Sequence, residues 1–268
     1  MISPTSVLIT GASSGIGAAL ALAYAEPGRH LALTGRDGPR LAATAEQCRK
    51  AGASVATCEA DVTDRDAMVE WIEDIAATGR LDLVIANAGI SGGTGGLLEE
   101  GAEQARRIFA VNVDGVMNTV LPAIAVLTRQ TPVIIAGTPP WRGQIAIVSS
   151  LAGLRGWPGA PAYSASKAAV KAWGEGLRPA LARDQIALSV VLPGFIRTPM
   201  TAENPFPMPL LMDAEQAAAI IKRRLENNPA RIAFPWPVYA LSWLIGALPP
   251  GWIDPLLSRL PAKPARQS

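Results

Sequence analysis

Apolar and polar positions along this chain follow two alternating patterns. Short apolar runs that are typical of buried strands occur at 7–10, 31–35, 54–59, 81–86, 144–149, 186–192 and 231–234. Longer segments with the period of amphipathic helices lie between them, at 16–26, 39–51, 64–77, 103–128, 162–182 and 214–226. Strands that alternate with helices in this way form parallel sheets covered by helices. The pattern predicts an α/β fold with a doubly wound parallel sheet in three layers, over a single domain 1–268.

Length and charge narrow the kinds of partner. The chain has 268 residues, which is enough for one domain with a large core. Its 24 basic and 22 acidic residues leave a net charge of +2, which provides no field of one sign for a nucleic acid. Because no basic segment precedes an apolar stretch at the N-terminus, we expect a cytoplasmic protein.

Histidine and cysteine are scarce. His30, the sole histidine, lies at the entry to an apolar run, so the sequence argues against a histidine-based triad and against a multi-histidine metal site. Cys48 and Cys58 lack the CxxC spacing, and no histidine lies near them to complete a metal site. We interpret both cysteines as buried thiols in a reducing compartment, and we expect no metal.

A glycine-rich turn follows the first predicted strand. The sequence TGASSGIG at 10–17 ends that strand and opens a helix, where backbone N–H groups can face a pyrophosphate. Side chains at the glycines would obstruct this approach, and the serine hydroxyls would add donors. Glycines also serve ordinary tight turns, but the position at the start of a βαβ unit favours a dinucleotide. The predicted contacts are Thr10, Gly11, Ser13, Ser14, Gly15, Ile16 and Gly17.

The end of the second strand bears on the choice of dinucleotide. NAD sites usually place an acid there, which accepts hydrogen bonds from the ribose hydroxyls. In this chain Gly35 is followed by Arg36, whose cation would bind the 2′-phosphate that an acid would repel. A solvated role for Arg36 stays open because Asp37 follows immediately. The sequence favours NADP(H) over NAD(H).

Several motifs in a fixed order resemble those of the short-chain dehydrogenase/reductase family, and the likeness extends from residue 5 to about residue 200. They are TGASSGIG at 10–17, Asp61-Val62, NAG at 87–89, Asn112, Ser149-Ser150, YSASK at 163–167 and Pro193-Gly194. The resemblance implies a Rossmann-like sheet, oxidoreductase activity with a nicotinamide cofactor, and assembly as a homodimer or homotetramer.

The resemblance also implies where the cofactor would lie. Asp61 and Val62 would contact the adenine, the segment 87–89 would steady the central strand, and Thr198 would bind the nicotinamide carboxamide. Besides the glycine turn and Arg36, the implied cofactor contacts are Asp61, Val62, Asn87, Ala88, Gly89, Tyr163, Lys167, Pro193, Gly194 and Thr198.

Tyr163 and Lys167 are four residues apart in a predicted helix, so both side chains lie on one face. A free phenol has a pKa of about 10, and a neighbouring ammonium lowers it. Tyr163 would then protonate the alkoxide that forms when hydride adds to a carbonyl, while Ser150 holds the same oxygen. The family's spacing of thirteen residues selects Ser150 over Ser149. By resemblance, Asn112 would hold a water that passes protons toward Lys167. An isolated YxxxK pair also fits a plain amphipathic helix surface.

Three apolar segments have more than one interpretation. The proline-rich segment 204–212 fits a semi-rigid lid over a lipophilic substrate and fits core packing equally. The aromatic segment 234–252 fits a core or subunit interface, a membrane surface, or a wall of the substrate channel. The basic residues that follow it would suit anionic lipid; they are Arg259, Lys263 and Arg266. The excursion at 131–141 fits a surface loop or a contact with a partner subunit.

Together these features predict an enzyme that moves a hydride between NADP(H) and a small lipophilic carbonyl or alcohol. Its catalytic set is Asn112, Ser150, Tyr163 and Lys167. Two alternatives remain: a catalytically idle NADP-binding regulatory module, and a member of the same family that acts as a 3-oxoacyl reductase or an epimerase.

Overall fold

The computed structural model describes residues 4–93, 100–134, 140–202, 204 and 206–257. In these ranges the strands are β1 (Ser6–Thr10), β2 (His30–Gly35), β3 (Ser54–Glu59), β4 (Leu83–Ala86), β5 (Gly143–Val148), β6 (Ile186–Pro193), β7 (Ile196–Arg197), β8 (Met212–Asp213) and β9 (Arg231–Phe234). The helices are α1 (Gly15–Tyr24), α2 (Gly38–Lys50), α3 (Arg65–Thr78), α4 (Ala102–Phe109), α5 (Gly115–Arg129), α6 (Pro161–Arg183), α7 (Pro199–Ala202), α8 (Ala214–Leu225), α9 (Trp236–Ala247) and α10 (Pro250–Leu257). A π-helical turn at Ala110–Asp114 joins α4 to α5, and a 3₁₀ helix at Leu151–Leu154 follows β5.

Seven strands form one parallel sheet in the order β3-β2-β1-β4-β5-β6-β9. The chain winds outward from β1 to β3, then returns to β4 on the other side of β1. The carboxyl ends of β1 and β4 therefore border a crevice where the strand order reverses, which is the usual ligand site of doubly wound sheets. The predicted Rossmann-like α/β fold is confirmed.

The central strands are buried on both faces, which explains why they read as continuous apolar runs. In β1, Val7 and Ile9 belong to one hydrophobic cluster, whereas Leu8 belongs to the other. Residues from α1, α2 and α8 cover the first face. Residues from α3, α5 and α6 cover the second. Helices on both faces of one sheet make the three predicted layers.

The single helix predicted at 103–128 is continuous from 102 to 129 but contains the π-helical turn. Among the described residues it is the one helix long and apolar enough, by length and composition, to cross a membrane. Half of its most apolar stretch is buried. Since Val116, Val120 and Leu127 pack into the second hydrophobic cluster, it belongs to the core of the fold.

The predicted strand at 81–86 begins only at Leu83. Leu81 lies outside the ladder because the Gln130 amide satisfies its backbone, accepting from its N–H at 2.7 Å and donating to its carbonyl at 2.9 Å. The excursion at 131–141 is closed by an antiparallel bridge between Val133 and Trp141, and 135–139 lie outside the described residues. Ile134 is exposed there, as expected for a surface loop.

Candidate active site

The glycine-rich turn between β1 and α1 fits a group that must approach the backbone closely. Gly11 has a positive φ of 69°, and a Cβ there would lie 2.8 Å from the Ala88 Cα. A Cβ at Gly17 would lie 2.2 Å from the Gly11 carbonyl oxygen. Both positions thus exclude side chains. Ser14 precedes α1 without capping it by a side-chain hydrogen bond, so the first N–H groups of the helix can face a phosphate.

Thr10 and Asn87 join the ends of β1 and β4. The Thr10 hydroxyl accepts from the backbone N–H groups of Asn87 at 3.1 Å and Ala88 at 3.2 Å. The Asn87 amide donates to the Thr10 carbonyl at 2.9 Å. These bonds fix the two strand ends beside the glycine turn, at the crevice where the strand order reverses.

Arg36 lies at the end of β2 and pairs with Asp61, whose Oδ2 accepts from Nη1 at 3.1 Å. The other Asp61 oxygen accepts from the backbone N–H and the hydroxyl of Thr63, both at 2.9 Å. Burial alone would raise the pKa of Asp61, but the Thr63 hydrogen bonds and the Arg36 cation outweigh it and lower that pKa. Asp61 is therefore ionised and holds Arg36 in place.

Ser149 and Ser150 point to different partners. The Ser149 hydroxyl donates to the Lys167 carbonyl at 2.7 Å, so its hydrogen bond is made to the backbone of α6. The Ser150 hydroxyl accepts from the Ala152 N–H at 3.1 Å and shares a hydrogen bond with the Tyr163 hydroxyl. Ser150 is thus the serine placed beside the phenol. Enclosure by protein raises the pKa of Tyr163, and the Ser150 hydrogen bond offsets only part of this rise.

Lys167 is almost completely buried on the same face of α6 as Tyr163. Its Nζ donates to the Val148 carbonyl at 3.0 Å and lies 6.0 Å from the centre of the Tyr163 ring. Burial lowers the pKa of Lys167 to about 8. The sequence predicted that the lysine would lower the pKa of the tyrosine. In the structure the dominant effect on each group is its own burial, which keeps the phenol protonated and weakens the ammonium.

Asn112 lies in the π-helical turn and is fully buried. Its Oδ1 accepts from the Ile90 N–H at 2.8 Å, and its Nδ2 donates to the Ile90 carbonyl at 2.9 Å and to the Ser166 hydroxyl at 3.0 Å. The amide therefore ties the loop after β4 to α6. A Cβ at Gly89 would lie 3.2 Å from both Asn112 Oδ1 and Lys167 Nζ, so the ends of both side chains lie next to Gly89.

A cavity of about 400 Å³ runs along the crevice and joins two chemically different ends. We call one the tyrosine end, defined by Ser150, Tyr163 and Lys167, and the other the arginine end, defined by Gly35, Arg36, Asp37 and Arg40. Between them the predicted contacts that line the cavity are Gly11, Ser13, Ser14, Gly15, Ile16, Val62, Asn87, Ala88, Gly89, Pro193, Gly194 and Thr198. Thr10, Gly17, Asp61 and Asn112 support this lining from behind.

Sequence reasoning missed part of the lining. Ile90, Ile196, Met200 and Thr201 border the cavity together with the predicted residues. Ile90 directly follows the NAG motif, a position that could have suggested it. The others come from the region after Pro193, where no motif marks them. Of the predicted lid, Phe206 packs edge-on against Phe195 with ring centres 6.2 Å apart, and the lid function stays a prediction.

The remaining candidate residues are structural in the described part of the chain. Cys48 and Cys58 are free thiols; Cys48 is buried as expected, whereas Cys58 is only partly buried because it lies on the edge strand β3. Burial raises the pKa of Cys48 to about 11 and that of Cys58 above its usual value. The His30 ring shares a hydrogen bond of 2.8 Å with Ser54. No cluster of metal-ligating side chains occurs among the residues that the structure describes.

Comparison with known proteins agrees with this geometry. The short chain dehydrogenase family profile matches residues 5–206. An uncharacterized oxidoreductase of Myxococcus xanthus is 37% identical over 255 residues, which span 94% of this chain and 96% of that protein. The chain belongs to the short-chain dehydrogenase/reductase family. It is therefore an oxidoreductase that uses a nicotinamide cofactor and a small-molecule substrate.

Two further relatives of this dehydrogenase/reductase are informative. A 3-oxoacyl-[acyl-carrier-protein] reductase of Thermotoga maritima is 33% identical over 199 residues, which span 74% of this chain and 76% of that enzyme. A solved short-chain dehydrogenase/reductase from Burkholderia phymatum, in complex with NAD, covers 100% of both chains with a TM-score of 0.80 and 25% identity. The reductase from Thermotoga maritima is named for its 3-oxoacyl substrate. The structure from Burkholderia phymatum contains a nicotinamide dinucleotide in a protein of this fold.

Proposed function

We propose that this enzyme transfers a hydride between NADP(H) and the carbonyl or alcohol carbon of a lipophilic small molecule, with Tyr163 as the general acid/base. The observation that supports this most is the convergence of Ser150, Tyr163 and Lys167 at one end of a cavity whose floor is the glycine turn. An idle binding module would not need a phenol hydrogen-bonded to a serine beside a buried ammonium. This convergence therefore favours catalysis over a purely regulatory role.

Each side chain at the tyrosine end has a distinct task in the proposal. When bound, the nicotinamide supplies or accepts the hydride. Tyr163 gives its proton to the oxygen of the reacting carbonyl, and Ser150 donates a hydrogen bond that positions this oxygen. Lys167 supplies a positive charge near the phenol, which stabilises the phenolate left after proton transfer. Asn112 supports the site by holding α6 to the loop after β4; its proposed water relay toward Lys167 would use groups other than the occupied side-chain amide.

The raised pKa of Tyr163 favours one direction of the reaction. Because enclosure raises the pKa of Tyr163, its hydroxyl is protonated at neutral pH and ready to act as an acid. Alcohol oxidation would first need the phenolate, which enclosure disfavours. We therefore propose that carbonyl reduction is the faster direction at neutral pH.

The preference for NADP(H) rests on the arginine end. No acid ends β2, and Arg36 and Arg40 line the cavity there. Asp61 neutralises part of the Arg36 charge, but its pairing also keeps the guanidinium oriented. Arginine can bind a phosphate through two parallel hydrogen bonds, which a ribose hydroxyl cannot match.

The lipophilic substrate class rests on the lining of the tyrosine end. Among the described lining residues, Lys167 is the one charged side chain outside the arginine end. Ile90, Ile196 and Met200 offer apolar surface instead. A second candidate is reduction of a 3-oxoacyl thioester, favoured by the reductase from Thermotoga maritima. Its 3-oxo group would contact the same tyrosine, so a 3-oxoacyl thioester and a simple lipophilic carbonyl differ only in the rest of the substrate. Epimerisation has no comparable support.

A substrate screen tests the proposal. Purified enzyme is mixed with NADPH or NADH and with aliphatic ketones, steroids, retinoids, sugars or a 3-oxoacyl thioester, while the absorbance of the reduced nicotinamide is followed. We expect oxidation of NADPH with apolar carbonyls, faster than with NADH, and no turnover of sugars. The Tyr163→Phe variant serves as the blank for every compound. Equal rates for enzyme and variant across the panel would contradict the proposed chemistry.

A further inference from the structure

The surface of α9 and α10 exposes several large apolar side chains. Three tryptophans face solvent, with exposed fractions of 73% for Trp236, 56% for Trp243 and 75% for Trp252. Leu241, Leu244 and Leu256 on the same two helices are each more than half exposed. We call these six residues the tryptophan face. Between Arg231 and Asp254 the sequence has no charged residue. A large exposed apolar patch of this kind marks a contact surface rather than an ordinary protein exterior.

The tryptophan face is the outer side of two helices whose inner side is already filled. Ser242 is buried, and Tyr239 packs against the second hydrophobic cluster. A Cβ at Gly246 would lie 2.7 Å from the Leu154 carbonyl oxygen, so α9 closely approaches the 3₁₀ helix after Ser150. Ile253 and Leu257 bury the inner side of α10. Since the domain covers the inner sides, the outer sides are left for a partner.

Arg155 holds both helices in this orientation. Its guanidinium donates to the carbonyls of Ile245 and Leu248, both at 3.1 Å, which caps the end of α9. It also approaches the Asp254 carboxylate in α10 at 3.6 Å. The Arg155 side chain is only 11% exposed, whereas that of Asp254 is 66% exposed, so the bonds to the α9 carbonyls are the better shielded of these contacts. Arg155 therefore ties the end of α9 to α10.

The chemistry of this face and of the sequence after it favours a lipid surface over a second copy of the chain. Tryptophan combines an apolar ring with a polar N–H, which suits the boundary between headgroups and acyl chains. After Leu257, outside the described residues, the sequence has three basic residues and no acid; they are Arg259, Lys263 and Arg266. Basic residues that follow an apolar face in the sequence complement anionic headgroups. A second copy of the chain would offer the same three basic residues and no acid after Leu257, so it would not complement their charge.

We propose that the tryptophan face docks the enzyme on an anionic lipid surface, with the tryptophan rings at the headgroup boundary. The docking is peripheral, because the helices that form this face also pack inward on the domain. It does not depend on the proposed substrate or cofactor. A soluble substrate and a lipid-bound enzyme are compatible, so each proposal fails by its own test.

Vesicle flotation of the full chain tests the docking. The protein is mixed with phosphatidylcholine vesicles, with or without phosphatidylglycerol, and the fraction that floats is measured. We expect flotation with the anionic vesicles and much less with the neutral ones. Replacing Arg259, Lys263 or Arg266 by glutamine should lower the partition coefficient by about fivefold each, since each cation near such a surface contributes about 1 kcal/mol. Failure of the wild-type protein to float with anionic vesicles would overturn the proposal.

A pair of variants separates docking from general surface effects. Trp243→Glu combined with Leu244→Glu places two charges in the tryptophan face and should reduce partitioning by at least about tenfold. Val69→Glu changes an exposed apolar residue on α3 and should leave partitioning unchanged. Thermal melting and cofactor binding establish that both variants fold.

Two further readouts distinguish a lipid surface from a protein partner. Lipids with brominated acyl chains should quench the tryptophan fluorescence of the wild-type protein and not that of the double variant. Light scattering without lipid should give the same mass for both. If the double variant is smaller than the wild-type protein and both bind vesicles equally, the face is a subunit contact and the lipid proposal is wrong.

Discussion

The two ends of the cavity differ in how the protein treats charge. At the tyrosine end, Lys167 is buried and donates to a backbone carbonyl, and burial shifts the proton affinities of both ionisable groups. At the arginine end, the side chains of Arg36 and Asp61 are 45% and 35% exposed and form a pair within reach of solvent. Burial strengthens every electrostatic effect, whereas solvent weakens it. Changes at the tyrosine end should therefore alter reaction rate strongly, and changes at the arginine end should alter cofactor choice modestly.

The largest expected effect is at the tyrosine end. Tyr163→Phe keeps the ring and removes the hydroxyl, so turnover of a carbonyl should fall by about 10² or more while the Kd for the cofactor stays nearly unchanged. Steady-state kinetics and a fluorescence titration of the cofactor measure the two quantities. A variant that retains turnover, or that loses cofactor binding in proportion, would remove the assigned proton-transfer role.

A substitution in the glycine turn between the two ends should weaken cofactor binding, which Tyr163→Phe should leave nearly unchanged. In Gly17→Ala the new Cβ would lie 2.2 Å from the Gly11 carbonyl oxygen, so the turn must shift. Overpacking of this kind costs about 1–3 kcal/mol, which corresponds to a cofactor Kd raised by about fivefold to about 150-fold. Gly176→Ala is the matched control, because a Cβ there meets nothing within 4 Å. Equal affinity in the two variants would mean that the turn does not hold the cofactor.

The pH dependence of the rate tests whether Lys167 acts as a cation. Below its pKa of about 8 the ammonium is present, and as the pH rises through that value the charge is lost. Tyr163 stays protonated over the same interval because its pKa is raised. At saturating cofactor, carbonyl reduction should thus fall above about pH 8, by about tenfold for each further pH unit.

Two variants on α6 test whether Lys167 causes the fall in rate above pH 8. Lys167→Met should leave a low rate that is flat across the same pH range. Lys171→Met, one turn further along α6, removes an ion pair with Glu175 and should keep the wild-type profile. If the fall above pH 8 persists without Lys167, another group causes it.

Local patterns in the sequence predicted most of this molecule, and contacts between distant residues account for what they missed. The bounds of the seven predicted strands and six predicted helices agree with the structure within two residues, because strand and helix periods are properties of short segments. The spacing of Tyr163 and Lys167 likewise needs only one helical turn. The π-helical turn was missed because the bonds of Asn112 reach Ser166, 54 residues away.

The proton affinities could not be read from the sequence for the same reason. The sequence places Lys167 beside Tyr163 but does not show that strand β5 offers the Val148 carbonyl to the ammonium, 19 residues away. Nor does it show that Arg36 meets Asp61, 25 residues away, across the ends of β2 and β3. Burial and ion pairing depend on how the sheet packs. The sequence therefore predicted which residues form the site, but not how far their pKa values shift.

The smallest expected effect concerns Arg36, and it decides how far the two ends are independent. Arg36→Ala should raise the KM for NADPH by about tenfold, the scale of one charge-assisted hydrogen bond at a site open to solvent, and should barely change the KM for NADH. Arg65→Ala, an exposed arginine at the start of α3, is the control and should change neither. Because the hydride-transfer chemistry lies at the other end of the cavity, kcat should be preserved with both cofactors. A loss of kcat would show that Arg36 positions the whole dinucleotide, and an equal rise in both KM values would show that it does not recognise the 2′-phosphate.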